Sequence, residues 1–340
     1  MNDIVPGVSM KFSPASSLPA IGACAILAAP AQAEVLPVSG IYAAGSDAAS
    51  AVEAIAVENF GGDEGAALSF AITDRLENVR IEGEPYFQIF PTSGDDVDAV
   101  LRGSANAEVL ETELEDRKVT KCTKKDKDKK CIREKVTFYE CTELSVTLYP
   151  RVRLIAQNGG ELYSARDSLS RSASFCANDS SIPSAQGMID SLISQFAGEV
   201  RSDFAPVERF QEFRVLESRK GMDRDAKKAF KTAVKLTKSD VAASCNAFAA
   251  LEDTNPQHVS VLFNIGLCAE GQGDLDAAEN FYQRALDVEP GKDNPTSGIS
   301  RISSKRRAAE QLAVRFGAEN SQEPVEDQEL QRDAVTEPQT

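Results

Sequence analysis

The chain has 340 residues, a length typical of about two domains. It carries 37 Lys and Arg against 53 Asp and Glu, and its net charge of −16 argues against a general nucleic-acid binder, because such proteins need a basic surface to bind phosphate. The single histidine, His258, excludes any metal site with several histidine ligands, and the 42% of apolar residues are enough to form folded cores.

Residues 10–33 have the pattern of a secretory signal peptide. Lys11 supplies a positive charge, a weakly apolar stretch follows, and the segment ends in the A-x-A cleavage signature AQA at Ala33. We therefore expect residues 1–33 to be a signal peptide that is cleaved after Ala33, and the mature protein to be periplasmic.

The same segment allows a second interpretation. The run IGAC, which ends at Cys24, resembles a lipobox, in which Cys24 would be lipidated and would anchor the protein to the outer membrane. The residues before Met10 include Asp3 and no basic side chain, which favours Met10 over Met1 as the true start. No later run of eighteen or more apolar residues predicts a transmembrane helix.

Small and polar residues predict a linker over residues 34–50, and an α/β domain follows over residues 51–217. Apolar alternation predicts its strands, and apolar residues spaced three and four apart predict its helices. The predicted elements are strand 52–59, a helix with Leu68 to Val79 on one face, strand 85–91, a strand from residue 99, strands 136–156 and 161–175, a helix between Pro183 and Pro206, and strand 209–216. This order favours an α+β fold with a mixed, mostly antiparallel sheet and two helices on one face.

Several stretches of this domain carry a resemblance to known envelope proteins. The runs IAVENFGG, PYFQIF, VLRGSANAEV and LYPRVRLIAQNGGELYSA, followed by a helix that leads to FAP, are similar to CsgG-like and TolB amino-terminal-like envelope domains over residues 52–217. In pore-forming members, the resemblance implies hairpins that insert into a membrane. The central hairpin of this chain is lysine-rich and so departs from that pattern.

That lysine cluster, residues 118–135, stands out in an acidic chain. It contains nine basic and three acidic residues. A solvated hairpin tip, whose charges prevent edge-to-edge aggregation, is the favoured interpretation. Contact with a membrane surface or with an acidic partner is the alternative.

Residues 259–290, VSVLFNIGLCAEGQGDLDAAENFYQRALDVEP, resemble a tetratricopeptide repeat. The positions that match the family pattern are Leu262, Ile265, Gly266, Ala269, Gly273, Ala278, Tyr282, Ala285 and Pro290. A degenerate unit before it and an amphipathic helix over 298–316 after it predict an all-α repeat region over residues 222–316.

The repeat implies a protein that binds peptides or proteins in a concave face lined by first helices. The residues that would be exposed on that face are Ser260, Phe263, Asn264, Leu267 and Glu270. The alternative is that Phe263 and Leu267 pack against the preceding unit, since apolar residues four apart are more often core.

The six cysteines other than Cys24 allow three disulfides in an oxidising compartment, with fifteen connectivities on paper. Spacing favours one set. Cys122 and Cys131 flank the run KKDKDKK as two strands flank a hairpin loop, Cys245 and Cys268 fall on neighbouring helices of the repeat, and Cys141 is left with Cys176.

The sequence contains no convincing catalytic motif, such as G-x-S-x-G, a P-loop or H-E-x-x-H, and we predict no catalytic, cofactor-binding or metal-binding residues. The predicted function is an exported, non-catalytic adaptor or scaffold of the bacterial cell envelope, which binds an envelope protein or peptide segment in the repeat groove. The alternative is a lipid-anchored or oligomeric secretion or assembly component of the CsgG-like type. Residues 317–340 contain seven acids and predict a disordered acidic tail.

Overall fold

A computed structural model describes residues 34–81 and 83–317. The predictions for the signal peptide, for Cys24, for cleavage after Ala33 and for the acidic tail beyond Gly317 lie outside the described residues. The elements in chain order are β1 (Val35–Tyr42), α1 (Asp47–Ser50), β2 (Ala54–Val57), α2 (Gly65–Glu77), β3 (Arg80–Ile81), β4 (Glu84–Pro85), β5 (Gln88–Phe90), β6 (Ala99–Lys125), β7 (Cys131–Ala156), β8 (Glu161–Arg166), β9 (Leu169–Cys176), α3 (Ala185–Phe204), β10 (Val207–Arg214), α4 (Arg224–Leu236), α5 (Val241–Ala249), α6 (Val259–Gln272), α7 (Leu275–Val288) and α8 (Asp293–Gly317).

The central sheet is mixed and has the strand order β5-β2-β6-β7-β8, with β9 also paired to β7. Strand β2 is parallel to β5 and β6, whereas β7 is antiparallel to β6, β8 and β9. A hairpin with Asn158-Gly159 at its turn joins β7 to β8, and Gly159 takes a φ of 86°, which the turn requires. The single strand predicted over 161–175 is two strands, which lie end to end along β7.

Helices α2 and α3 cover one face of the sheet, as predicted. The apolar stripe of α2, represented by Leu68 and Ile72, is fully buried against the stripe of α3 and the alternate residues of β6 and β7. The side chain of Ser184 begins α3 by accepting a hydrogen bond from the backbone N–H of Gly187. The fold class expected from the sequence, an α+β sheet domain followed by helical repeats, is therefore confirmed.

The segment predicted as a linker over 34–50 is instead structured. Strand β1 pairs antiparallel with β10 along its whole length, from Val35 opposite Arg214 to Tyr42 opposite Val207. These two strands form a ribbon separate from the central sheet. The linker prediction was wrong because the partner strand lies far along the chain, and only that pairing satisfies the backbone of β1.

The ribbon packs against the helical region and closes its core. Leu36 and Val38 of β1 are buried in the same apolar cluster as Phe230, Phe248 and Leu267 from three different helices. Aspartates begin α4, α5 and α7 by accepting hydrogen bonds from first-turn backbone N–H groups. Helix α4 begins the degenerate unit predicted before the repeat, and the helix predicted over 298–316 is α8, which begins five residues earlier, at Asp293.

Candidate functional site

Strand β1 and the chain that follows β10 cover the concave face of the repeat region. The five residues predicted to be exposed there, Ser260, Phe263, Asn264, Leu267 and Glu270, are all buried, with exposed fractions of 3, 2, 0, 0 and 1%. The prediction that they form an open binding surface was therefore wrong. Helix α6 is mostly apolar and is buried on all sides from Ser260 to Glu270, which is typical of a helix that lies inside a core.

Asn264 shows how closely the chain occupies its own groove. Its side-chain Oδ1 accepts a hydrogen bond from the backbone N–H of Leu216 at 2.9 Å, and its Nδ2 donates to the carbonyl of Leu216 at 2.9 Å. The amide thus pairs with both backbone groups of one residue, as a neighbouring strand would. The repeat uses the face that would bind a partner to hold its own β10–α4 connection.

Glu270 is the centre of a buried polar cluster between α6, α7 and α8. Its carboxylate accepts hydrogen bonds from the Tyr282 hydroxyl at 2.8 Å and from the Arg301 guanidinium through two nitrogens. Lys305 Nζ lies 3.2 Å from the same carboxylate and donates to the carbonyl of Ser39 in β1 at 3.0 Å. The cluster therefore ties the repeat both to α8 and to the ribbon.

The protonation state of this cluster follows from its pairing. Burial by itself raises the pKa of Glu270, but the Arg301 hydrogen bonds and charge, together with Tyr282 and Lys305, outweigh it and hold the pKa below the usual value of 4.5. Burial and the nearby carboxylate raise the pKa of Tyr282 far above its usual value, so this hydroxyl stays protonated and donates. Glu270 is thus an ionised, fully buried acid.

Two glycines allow the helices to approach around Tyr282. A Cβ at Gly266 would lie 2.8 Å from the Tyr282 ring, and one at Gly298 would lie 2.4 Å from it. The ring itself is fully buried and fills the space between α6 and α8. Gly266 and Tyr282, which match the repeat pattern, therefore have the packing role that the pattern implies.

Helix α8 connects the repeat region to the sheet domain. Arg306, near its middle, pairs with Glu279 of α7. Gln311, in its second half, accepts a hydrogen bond from the N–H of Ala44 at 2.8 Å and donates to the carbonyl of the same residue at 3.2 Å. Arg315 pairs with Glu53 at 2.9 Å. One helix thus makes specific polar contacts with both parts of the chain.

A second notable feature is a two-stranded arm, residues 115–140, formed by the outer ends of β6 and β7. Strand β9 pairs with β7 only from Leu169 to Cys176, so the hairpin continues beyond it with no further strand among the described residues. At about 3.3 Å per residue, the eleven β6 residues of the arm extend about 36 Å. Nearly all its side chains are exposed.

Two disulfides hold the arm, one at each end. Cys122 and Cys131 are bonded near its tip, and Cys141 and Cys176 are bonded at its root, where Leu114 lies opposite Cys141. The third bond, Cys245–Cys268, joins α5 to α6. All three predicted pairs are confirmed. Cys122–Cys131 joins the two strands of the arm, whereas Cys141–Cys176 joins β7 to β9 just outside it. An isolated two-stranded hairpin is marginal in water, so the first bond stabilises the tip and the second holds the root to the sheet.

The lysine cluster, residues 118–135, forms the outer part of the arm, as the hairpin-tip interpretation expected. Apolar side chains accompany it: Ile132, Val136 and Phe138 lie on β7 with one parity and are 56, 44 and 60% exposed. Val136 and Phe138 share one side of β7, and Phe138 lies opposite Lys118 of β6. Ile132 lies where the pairing of β6 with β7 shifts register, nearer the tip. These three residues form the apolar stripe of the arm. The apolar alternation of strand 136–156 predicts Val136 and Phe138 on one half-buried face, whereas the structure shows that both are exposed in the arm.

The comparisons with known proteins agree with the helical region. Residues 259–292 match the family model described as a tetratricopeptide repeat. The chain therefore contains a tetratricopeptide repeat. No curated protein matches the chain. One solved structure, of a Helicobacter pylori protein named as a homologue of a neuraminyllactose-binding hemagglutinin, is similar at 11% identity and a TM-score of 0.25, over 61% of this chain and 90% of that chain.

Among the described residues, no helix is long and apolar enough to cross a membrane. The three disulfides are compatible with a periplasmic or extracellular protein. The resemblance of the sheet domain to CsgG-like and TolB amino-terminal-like domains stays a prediction.

Proposed function

We propose that this protein is a non-catalytic adaptor of the bacterial cell envelope, which is exported and binds a partner protein through the arm. The observation that carries the proposal is the arm itself. It projects beyond the sheet, it is cross-linked at both ends, and it presents apolar side chains beside a basic cluster.

The repeat has a supporting part in this proposal. Tetratricopeptide repeats generally mediate protein–protein interaction, but here the concave face is filled by the β10–α4 connection and by β1. A partner therefore needs another surface. Exposed apolar residues rimmed by charge are typical of protein interaction sites, and the stripe of Ile132, Val136 and Phe138 has this character.

Export is supported by two independent features. The N-terminal 33 residues have the order of a signal peptide, and the six cysteines of the remaining chain are all paired. Alkylation of cysteines in intact cells tests whether the six cysteines form disulfides there: all six should resist a thiol reagent until a reductant is added. Ready alkylation without reductant would contradict export.

A site-specific photo-crosslinker tests the binding surface. We would place it at Phe138 in the arm and, as a matched control, at Phe70 on α2, which is 75% exposed on the sheet domain. Both are exposed phenylalanines, so neither substitution disturbs a core. The proposal expects a discrete adduct with one other protein from position 138 and none from position 70. The same adducts from both positions, or none from the arm, would refute it.

A second candidate, an oligomeric assembly component, is favoured by the outer edge of β6. Beyond Ala107 this edge has no partner strand among the described residues, and its charges divide sharply. Residues 108–116 carry five acids, and residues 117–125 carry five basic side chains. Two copies that pair antiparallel along this edge would place each acidic half against a basic half. Light scattering of the full chain distinguishes the two candidates, since only the second requires a stable oligomer.

A further inference from the structure

An open groove of about 640 Å³ lies between the ribbon and α8. On one side are residues of β10 with the same parity, and on the other are hydroxyl residues of α8. The lining residues are Tyr42, Arg209, Gln211, Phe213, Thr296, Ser297, Ser300, Arg301 and Ser304. None of these nine carries a carboxylate, although the chain as a whole has a net charge of −16.

Cations outnumber anions at this groove. Arg209 and Arg301 line it, and Lys305 lies behind it with its Nζ 5.5 Å from the centre of the Tyr42 ring. The only carboxylate in the adjacent buried cluster is Glu270, which already binds both Arg301 and Lys305. Arg209 forms no ion pair within the described part of the chain and lies over the Tyr42 ring at 5.3 Å. An anion in the groove would therefore meet uncompensated positive charge.

Several hydrogen-bond donors at the groove have no partner in the described part of the chain. Tyr42 is 95% buried, since only 5% of it is exposed, yet its hydroxyl has no hydrogen-bond partner among the described residues. A buried hydroxyl without a partner is unfavourable, and this points to a ligand that supplies one. Arg301 binds Glu270 through Nε and Nη2, which leaves Nη1 available.

The hydroxyls of α8 add a regular set of polar groups. Thr296, Ser300 and Ser304 are spaced four apart and so follow one side of the helix. The Oγ of Ser304 accepts a hydrogen bond from the N–H of Ala43 at 3.1 Å, so its own proton remains free to donate. Ser300 makes no side-chain hydrogen bond within the described residues.

We infer that this groove is a binding site for a phosphoryl group, held by the guanidinium groups of Arg209 and Arg301, the hydroxyls of Ser300 and Ser304, and the Tyr42 hydroxyl. Arg209, which forms no ion pair among the described residues, can bind phosphate oxygens with two parallel hydrogen bonds, whereas Arg301 adds its charge and the one nitrogen that Glu270 leaves unused. Several hydroxyl donors from different directions suit a tetrahedral group. A metal ion does not fit, because the groove has no carboxylate. The phosphoryl group could belong to a soluble phosphate ester or to the headgroup of an anionic lipid.

Titration calorimetry of the full chain at constant ionic strength tests the inference. The probes are inorganic phosphate, glycerol 3-phosphate and vesicles of phosphatidylglycerol, with acetate as the anion control. Arg209→Gln removes a groove cation, whereas Arg214→Gln removes the same charge from the same strand at a position of opposite parity, where the side chain pairs with Glu217. Tyr42→Phe removes only a hydroxyl that has no partner among the residues that the structure describes.

The wild-type chain should bind at least one phosphoryl probe, and Arg209→Gln should weaken that binding by about tenfold or more, the loss expected for a charge-assisted hydrogen bond. Arg214→Gln should change it by less than about twofold. Tyr42→Phe should weaken binding without lowering the melting temperature, a result that a merely structural tyrosine would not give. Binding to vesicles that is lost in Arg209→Gln identifies a lipid headgroup, and binding to the soluble probes alone identifies a phosphate ester. No binding to any phosphoryl probe, equal losses in the two arginine variants, or tighter binding of acetate would overturn the inference.

Discussion

Glu270→Gln should strongly destabilise the protein. The carboxylate is fully buried, and its partners Arg301 and Lys305 are only 12 and 6% exposed. A glutamine keeps the shape and one acceptor oxygen but leaves two buried cations without a counter-charge. Removal of one partner from a buried ion pair costs about 3–5 kcal/mol, which is a large part of the stability of a typical domain. Urea unfolding followed by circular dichroism measures this loss.

The matched control is Glu279→Gln, one helix away. Glu279 pairs with Arg306, but both side chains are about 40% exposed and Arg306 also pairs with Asp276, so the loss of Glu279 should cost far less than the loss of Glu270. The two variants make the same chemical change, one at a buried carboxylate that two cations share and one at an exposed carboxylate whose arginine keeps a second partner. Equal losses in the free energy of unfolding would refute the argument that burial makes the Glu270 cluster important.

The pH dependence gives a second readout of the same variant. Because pairing lowers the pKa of folded Glu270 below 4.5, this group contributes stability that is fully present above pH 4.5 and is lost as the pH falls through the folded-state pKa. Glutamine does not titrate. The stability difference between the wild type and Glu270→Gln should therefore shrink below pH 4.5, and a difference that stays constant on acidification would contradict an ionised Glu270.

Two further predictions concern cross-links and close packing. Replacing both cysteines of the α5–α6 disulfide with serine should lower the free energy of unfolding by about 3 kcal/mol, because the bond spans 23 residues of the repeat core. The same change at the arm tip, Cys122–Cys131, should leave the global free energy of unfolding unchanged but speed up proteolysis of the arm. Gly266→Ala should lower the free energy of unfolding by about 1–3 kcal/mol, since its Cβ would lie 2.8 Å from the Tyr282 ring. As a control, a Cβ at Gly94 would meet nothing within 4 Å, so Gly94→Ala should change the free energy of unfolding by less than about 0.5 kcal/mol. Thermal or urea unfolding measures both.

The elements that the sequence predicted well are those with local signals. The repeat helices combine apolar periodicity with aspartates at their first turns, and the β7–β8 hairpin carries Asn158-Gly159 at its turn. Two disulfides were predictable because their cysteines flank one hairpin loop or lie on neighbouring helices, and Cys141–Cys176 followed as the remaining pair. Apart from that third pair, the residues that determine these structures lie within one element or in the next.

The features that were missed depend on distant contacts. Strand β1 alternates buried Leu36, Val38 and Tyr42 with more exposed residues, but its pairing with β10 bridges more than 160 residues of chain. The sequence of α6 does contain a signal that its concave face is buried. Because Glu270 is the only acid in a mostly apolar helix, both burial of the whole helix surface and a buried cation next to Glu270 are expected, and Arg301 supplies that cation. The repeat resemblance led instead to an open face.

The covered face also explains how so few repeats are stable. Each repeat buries its apolar surface against neighbours, so a short array normally lacks enough core. In this chain β1 closes the concave side, α4 and α5 precede the matched repeat, and α8 follows it and continues to the sheet domain. Stability is gained at the expense of the usual binding surface. An adaptor built in this way must contact partners elsewhere, and the arm and the ribbon groove are two surfaces of the described chain whose side chains remain available.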